Sequence, residues 1–342
     1  MDGDKSIIPN EPEEKKYSSN TIALFVFSLL LILSSTFLMI NTFSGSIALA
    51  SLQNSTYNYY LNNNSLHDNQ NNQNNDDVLA AENTLVTKSE LTAIPLTEVK
   101  KYEFNAESAI VVKITPHSKE TVFEKDKDKK LPIASLTKLM TALLVLEKYD
   151  LNTKTTINEA AMSQTGEQGS LKLRETLSVK NLLYISLIES SNRAAYALAE
   201  IMGVDNFVSL MNQRAEELGL LHTHFADSSG LNQDSYSTAQ DLANLSEYLY
   251  ENQPLFREII SIKEYNLYLD NGTFHHKLIN TNNLLGIVPG VVGGKTGFTN
   301  EARGCYMVIK KNPDNAYFIN IVLGSEDRLS AVEYLIENFN GV

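Results

Sequence analysis

An α+β fold is predicted for residues 96–342, and three observations predict it. Short apolar runs suited to buried strands lie near both ends of this segment. The stretch between them, residues 179–251, instead repeats apolar residues at three- and four-residue spacing, as helices do. A sheet whose first and last strands come from distant sequence, with helices inserted between, is an antiparallel sheet flanked by helices that carries a helical subdomain. Composition agrees, since 342 residues that are 43% hydrophobic and 20% charged can build one sizeable globular unit plus extensions. The 28 basic and 41 acidic residues leave a net charge of −13, a field that repels nucleic acid, so no nucleic-acid partner is expected. Cys305 is the only cysteine, which excludes an internal disulfide framework and a zinc site built on several thiolates.

Residues 109–114 (AIVVKI) read as a buried strand and residues 124–130 (EKDKDKK) as a solvated connection. A helix is predicted to start near Ser135, because Leu139, Met140, Leu143, Leu144 and Leu146 mark a largely buried helical surface. Three further helical patterns follow in NLLYISLIESS, RAAYALAEIMG and TAQDLANLSEYLYE. Residues 305–310 (CYMVIK) and 317–323 (YFINIVL) read as neighbouring antiparallel strands joined by the turn-rich Asn312-Pro313-Asp314-Asn315. An amphipathic helix over residues 328–339 closes the chain.

Ahead of this body the chain divides into a polar tail (1–20), an apolar segment (21–40) and an Asn-rich linker (41–95). Residues 21–40 carry no charge over twenty positions, enough for a helix to span a bilayer. Lys15 and Lys16 precede it and the next basic residue is Lys88, so the amino terminus is expected in the cytoplasm and the rest outside. The competing reading is a cleaved signal peptide, for which Ala48-Leu49-Ala50 offers a small-x-small site and which would make the protein secreted. Ten of the 22 residues between Asn54 and Asn75 are asparagine, a composition that buries too little apolar surface to fold. The linker is therefore read as a flexible tether, with an end-to-end distance of roughly 40 Å.

Three short motifs occur in order: Ser135-Leu136-Thr137-Lys138 (S-x-x-K), Ser190-Ser191-Asn192 (S-x-N) and Lys295-Thr296-Gly297 (K-T-G). Each alone has an ordinary structural reading as a helix cap, a helix-helix turn and a strand end. Found together, at a helix start, an inter-helix turn and a strand, they point to nucleophilic serine chemistry. Lys138 lies one helical turn from Ser135, the spacing that lets a lysine take the hydroxyl proton, provided burial and a second cation, with Lys295 the candidate, keep it partly neutral.

The segments PIASLTKLMTALLVLE, GLLHTHFADSSGLNQDSYSTAQDLA and NTNNLLGIVPGVVGGKTGFT resemble the D-alanyl-D-alanine carboxypeptidase family of low-molecular-mass penicillin-binding proteins, over about residues 96–342. The resemblance implies a β-lactamase-like fold and a serine peptidase that removes the terminal D-alanine of peptidoglycan stem peptides, needs no cofactor or metal, and is acylated by β-lactam antibiotics. In such a protein Ser135 is the nucleophile and Lys138 its general base. Ser190 and Asn192 relay a proton to the leaving amine and hold the substrate amide. Lys295 and Thr296 bind the terminal carboxylate. Gly297 admits the substrate backbone, and the N–H groups of Ser135 and Phe298 form an oxyanion hole. Two departures from the family pattern are Arg193, where an acidic residue is common, and Arg303, inserted between Ala302 and Gly304. The resemblance also implies a carboxy-terminal β-rich domain and amphipathic anchor, for which little chain follows Gly297, so the amino-terminal segment is expected to do the anchoring.

Other readings weigh less. A metal hydrolase would draw on His222, His224 and the His275-His276 doublet, but H-E-x-x-H does not occur. No G-x-S-x-G elbow supports a Ser-His-Asp enzyme, and Cys305 reads as a buried strand residue. Rapid β-lactamase action needs a separate glutamate base, which is not apparent where it might stand, Asp227-Ser228-Ser229-Gly230-Leu231-Asn232, so slow penicillin turnover is expected. A DD-endopeptidase using the same residues, a weak β-lactamase and a non-catalytic wall-peptide binder remain as alternatives.

Overall fold

The computed structural model describes residues 104–166 and 168–341. The sheet grows from β1 (Ser108–Thr115), which is buried on both faces and pairs antiparallel with β11 (Tyr317–Ser325), Ser108 opposite Leu323. The two ends of the body are thus stitched together across the whole inserted helical region. Strands β2 (Ser118–Lys125), β9 (Val291–Thr299) and β10 (Arg303–Lys311) complete the order β2-β1-β11-β10-β9. The charged connection expected at 124–130 is shorter than read, because Glu124 and Lys125 end β2. That strand escaped notice because its SKETVFEK pattern is largely solvated, as suits an edge strand guarded by charge.

Alternate residues of the sheet serve two cores, as the two-residue period of a strand requires. Ile110, Val112, Met307, Ile309, Ile319 and Ile321 face the helical lobe. Val111, Tyr306, Val308, Phe318 and Val322 face the final helix (Arg328–Phe339) through its Val332, Leu335 and Ile336. The helical lobe centres on α1 (Lys138–Lys148), whose residues 138–145 are all buried. Around it lie α2 (Glu159–Met162), α3 (Val179–Ile188), α4 (Asn192–Glu200), α5 (Val204–Glu217), α6 (Ala239–Asn252) and α7 (Pro254–Ser261). The final helix, α8, spans the twelve residues the sequence indicated. Among the described residues three two-stranded pairs lie outside the main sheet: β3 (Leu131–Pro132) with β6 (Tyr236–Ser237), β4 (Lys154–Thr156) with β5 (Thr176–Ser178), and β7 (Glu264–Tyr268) with β8 (Phe274–Ile279).

Among the described residues no helix is long and apolar enough to cross a membrane. The expected tail (1–20), membrane segment (21–40) and linker (41–95) lie outside the described residues.

Candidate active site

Ser135 sits in a 3-10 turn, Ala134–Thr137, and the α-helix begins only at Lys138. The helix expected to start near Ser135 thus opens as a 3-10 turn, with a chemical consequence. Side chains three residues apart eclipse in a 3-10 turn, so Lys138 Nζ stands 2.8 Å from Ser135 Oγ. Lys138 is fully buried and donates also to Asn192 Oδ1 (2.7 Å) and to the Ser229 carbonyl (2.8 Å). Burial lowers its pKa from 10.5 to about 7, against the opposing pull of the Asp227 carboxylate.

The second motif occupies the turn between α3 and α4. Ser190 adopts φ +63°, unusual for a residue with a side chain, while Ser191 caps α4 by accepting from the Ala194 N–H and donates to the Gln168 carbonyl. Asn192 is held from both ends, its Oδ1 on Lys138 and its Nδ2 on the Thr165 carbonyl at 2.8 Å. The third motif lies on β9, at the edge of the sheet. Lys295 Nζ donates to Ser190 Oγ (2.6 Å) and to the Thr296 carbonyl (2.9 Å). All three motifs therefore converge, with Lys138 reaching Ser135 and Asn192, and Lys295 reaching Ser190.

Two details refine the sequence reading. Lys295 was expected to lower the pKa of Lys138, but for Lys138 burial dominates. It is Lys295 that lies well below its ordinary range, first through burial and then through the charges of Lys138 and Arg328. Gly297, expected to make room for substrate, also makes room for the nucleophile's own turn. A Cβ there would stand 3.0 Å from the Ser135 nitrogen and 3.1 Å from the Ile133 carbonyl. The missing side chain lets β9 and the Ser135 turn pack together. Phe298, next along the strand, is 62% exposed beside the site.

Several residues the motifs did not flag shape the same site. Asp227 accepts from the backbone N–H groups of Ser229, Gly230, Leu231 and Asn232 and from the Ser229 hydroxyl, and so fixes the loop that offers its Ser229 carbonyl to Lys138. Gly230, at φ +83°, lies against the Ala134 carbonyl. Thr296 and Thr281 share a hydroxyl hydrogen bond of 2.7 Å. Arg328, the first residue of α8, donates to the Gly297 carbonyl at 2.6 Å. Thr281, Thr296, Phe298, Tyr306 and Arg328 line a cleft of about 250 Å³. The sequence reading weighed the Asp227–Asn232 string only as a place for an acidic base, although Asp-Ser-Ser-Gly is also a loop signal. Arg328 has none, since its contact spans 31 residues.

The remaining candidates fall elsewhere. Arg193 reaches the Gln164 carbonyl, and Arg303, at φ +52°, holds its guanidinium 3.8–3.9 Å from Glu326 and Glu107. Cys305 is buried in β10, where desolvation pushes its thiol up to about 12, unsuited to nucleophilic work. His224 pairs with Tyr236 through the backbone, and among the described residues no group of three or more His, Cys, Asp or Glu is placed to hold a metal ion.

A serine against a buried lysine, at the junction of an antiparallel sheet and a helical lobe, defines the class of serine peptidases that penicillins acylate. Within that class the chain belongs to the D-alanyl-D-alanine carboxypeptidase family, which it matches over residues 95–327. It is 33% identical over 231 residues to the D-alanyl-D-alanine carboxypeptidase DacF of Bacillus subtilis, covering 65% of this chain and 59% of that protein. With the D-alanyl-D-alanine endopeptidase of Escherichia coli it shares 31% identity over 220 residues, 62% of this chain and 69% of the other. Among solved structures, penicillin-binding protein D2 of Listeria monocytogenes in its ampicillin-bound form is 32% identical, with a TM-score of 0.62, 69% of this chain covered and 98% of that one. A mutant of the Streptomyces K15 DD-transpeptidase gives a TM-score of 0.63 at 29% identity, over 69% of this chain and 98% of that one.

Proposed function

We propose that this protein is a serine-type D-alanyl-D-alanine carboxypeptidase that trims peptidoglycan stem peptides through an acyl-enzyme on Ser135. The observation that carries the chemistry is the hydrogen-bond set of Lys138. Two of its partners, the Asn192 amide oxygen and the Ser229 carbonyl, can only accept. They use both N–H bonds of a neutral amine and leave its lone pair for the Ser135 hydroxyl proton. A pKa near 7 makes that neutral form abundant at physiological pH.

In the reaction Ser135 Oγ bonds to the carbonyl carbon between the two terminal D-alanines as Lys138 Nζ takes the hydroxyl proton. The Thr296 carbonyl faces the site and backbone groups two residues apart on a strand point the same way, so the Phe298 N–H joins that of Ser135 in receiving the oxyanion. Collapse breaks the C–N bond, and the departing amine takes a proton through Ser190, whose hydroxyl Lys295 polarises. Water then hydrolyses the ester and returns the serine. Since Lys295 is buried beneath Ser190, the Thr296 hydroxyl and the Arg328 cation in the adjoining cleft are the groups that meet the substrate's terminal carboxylate. A β-lactam presents its strained amide to the same serine. Slow turnover of the penicilloyl ester is expected, because Asp227, the nearby carboxylate, is occupied by its own loop.

Mass spectrometry of wall pentapeptides and cross-linked dimers incubated with the full-length chain tests the assignment. Loss of one terminal alanine, absent with Ser135→Ala, is expected. Splitting of the cross-link would instead make the protein an endopeptidase, and no change in a penicillin-reactive protein would refute both substrates.

The same reading places catalysis outside the cell, with residues 21–40 as the membrane span and 41–95 as the tether. Twenty uncharged residues preceded by Lys15 and Lys16 support it. The protein is expected in the membrane fraction with residues 96–342 open to external protease; recovery as a shortened, freely secreted chain would favour cleavage near Ala50.

A further inference from the structure

Four titratable side chains from three segments meet outside the acyl-transfer machinery. His275 and His276 lie on β8, Glu175 precedes β5 (Thr176–Ser178), and Glu189 ends α3 immediately before Ser190. His275 Nε2 is 3.1 Å from Glu175 Oε2 and His276 Nε2 is 2.9 Å from Glu189 Oε2. The two Nδ1 atoms face each other at 2.5 Å. Neighbouring residues of a regular strand point to opposite faces, yet these rings touch. The strand pairing explains it: Leu267 opposes His276 and Tyr268 opposes Phe274, so His275 is the extra residue of a β-bulge, which turns it toward its neighbour.

Counting protons makes the cluster informative. Each of its three contacts needs one proton between the paired atoms, whereas two neutral imidazoles facing ionised carboxylates bring only two. The closed arrangement therefore holds one more proton than neutral histidines supply, wherever along the chain of contacts it resides. A fourth would set N–H against N–H at the ring-ring contact. Loss of the third would set lone pair against lone pair.

We propose that His275 and His276 share this excess proton between Glu175 and Glu189, and that the resulting clasp is the positioning device for the turn that carries Ser190. Ser190 needs such support, because a left-handed conformation at a residue with a side chain is strained. The opposite flank of the turn is tied down separately, by Lys295 on Ser190 Oγ and by the Thr281 N–H on the Ile188 carbonyl at 3.0 Å. No other described charge competes for the clasp. Across the ladder His276 meets the apolar Leu267, the adjacent Lys277 is paired with Glu264, and the second oxygen of Glu175 accepts from the Lys172 backbone N–H. The clasp thus stays closed only while its three contacts hold three protons, and the two carboxylates stabilise the excess one.

Glu189→Gln tests this, since the amide keeps an acceptor for His276 but removes one of the two negative charges. The full-length chain, labelled with ¹⁵N-histidine, is expected by NMR to show one doubly protonated ring, or a proton shared between the rings, alongside one neutral ring. In Glu189→Gln the loss of that proton should move to lower pH. Above the new midpoint, amide exchange at Glu189 and Ser191, both bonded to the Ile185 carbonyl, should quicken by about tenfold while other helices keep their protection. His276→Gln should show the fast exchange at every pH. Two neutral rings throughout, or exchange at these amides indifferent to the titration, would overturn the clasp. The effect on acylation rests on the role given to Ser190 above: if the clasp opens as expected and penicillin acylation does not slow, the clasp stands and the Ser190 relay falls.

Discussion

Lys138→Ala is expected to lower the rate of covalent labelling by a fluorescent penicillin by about a thousandfold or more, while the variant still unfolds cooperatively. The lost amine is the only described group that contacts Ser135 Oγ and can also accept its proton. In the wild type the labelling rate should climb as pH rises through about 7, because the reactive form is the neutral amine and burial disfavours the charged one. Stability carries the matching signature. The pKa is 10.5 in the unfolded chain and about 7 in the folded one, so between these values the unfolded state binds more protons and stability rises with pH. Below about pH 7 the full cost of burying the charge is present. Lys138→Met, which keeps an apolar stem without the amine, should lose that slope together with the labelling. Labelling of Lys138→Ala at the wild-type rate would remove lysine from the role of base.

Gly230→Ala should also slow acylation strongly, by a different route. A Cβ at this position would lie 1.8 Å from the Ala134 carbonyl oxygen and 2.8 Å from Thr137 Oγ1. The obstacle is backbone, so no rotamer relieves it; either the nucleophile's turn or the 227–232 loop must move. Displacement of Ser135 by about 1 Å would cost on the order of a hundredfold in acylation. Strain at φ +83° adds about 1–2 kcal/mol of destabilisation to the clash. Gly219→Ala provides the control, because Gly219 also has positive φ but nothing within 4 Å of its missing Cβ. That variant should lose a comparable 1–2 kcal/mol from strain alone and keep wild-type acylation. Equal activity in the two variants would mean that the loop does not position Ser135.

The three motifs could be read from sequence because their chemistry demands particular residue types at short spacing. Ser135 and Lys138 are three positions apart, and a turn of either helical kind brings them together. The strands at residues 109–114 and 317–323 and the closing helix were legible for a related reason, as apolar runs and helical periodicity are local properties. Strand β2 was missed because an edge strand exposed to water carries no such pattern.

Across longer separations the sequence by itself is silent. That Lys295 would meet Ser190 across 105 residues, that Arg328 would hold the Gly297 carbonyl, and that Asp227 would shape the loop beneath Lys138 depend on how the sheet closes over the inserted helices. Electrostatics follows the same division. The presence of two lysines is a fact of sequence, but burial depresses both, and the charge of Lys138 depresses Lys295 further. The sequence alone determined which reactive groups this protein owns and on what kinds of element they sit. Only the tertiary structure decided which of them touch and in what protonation state, because desolvation and hydrogen-bond distance are properties of packed neighbours, and those neighbours come from distant parts of the chain.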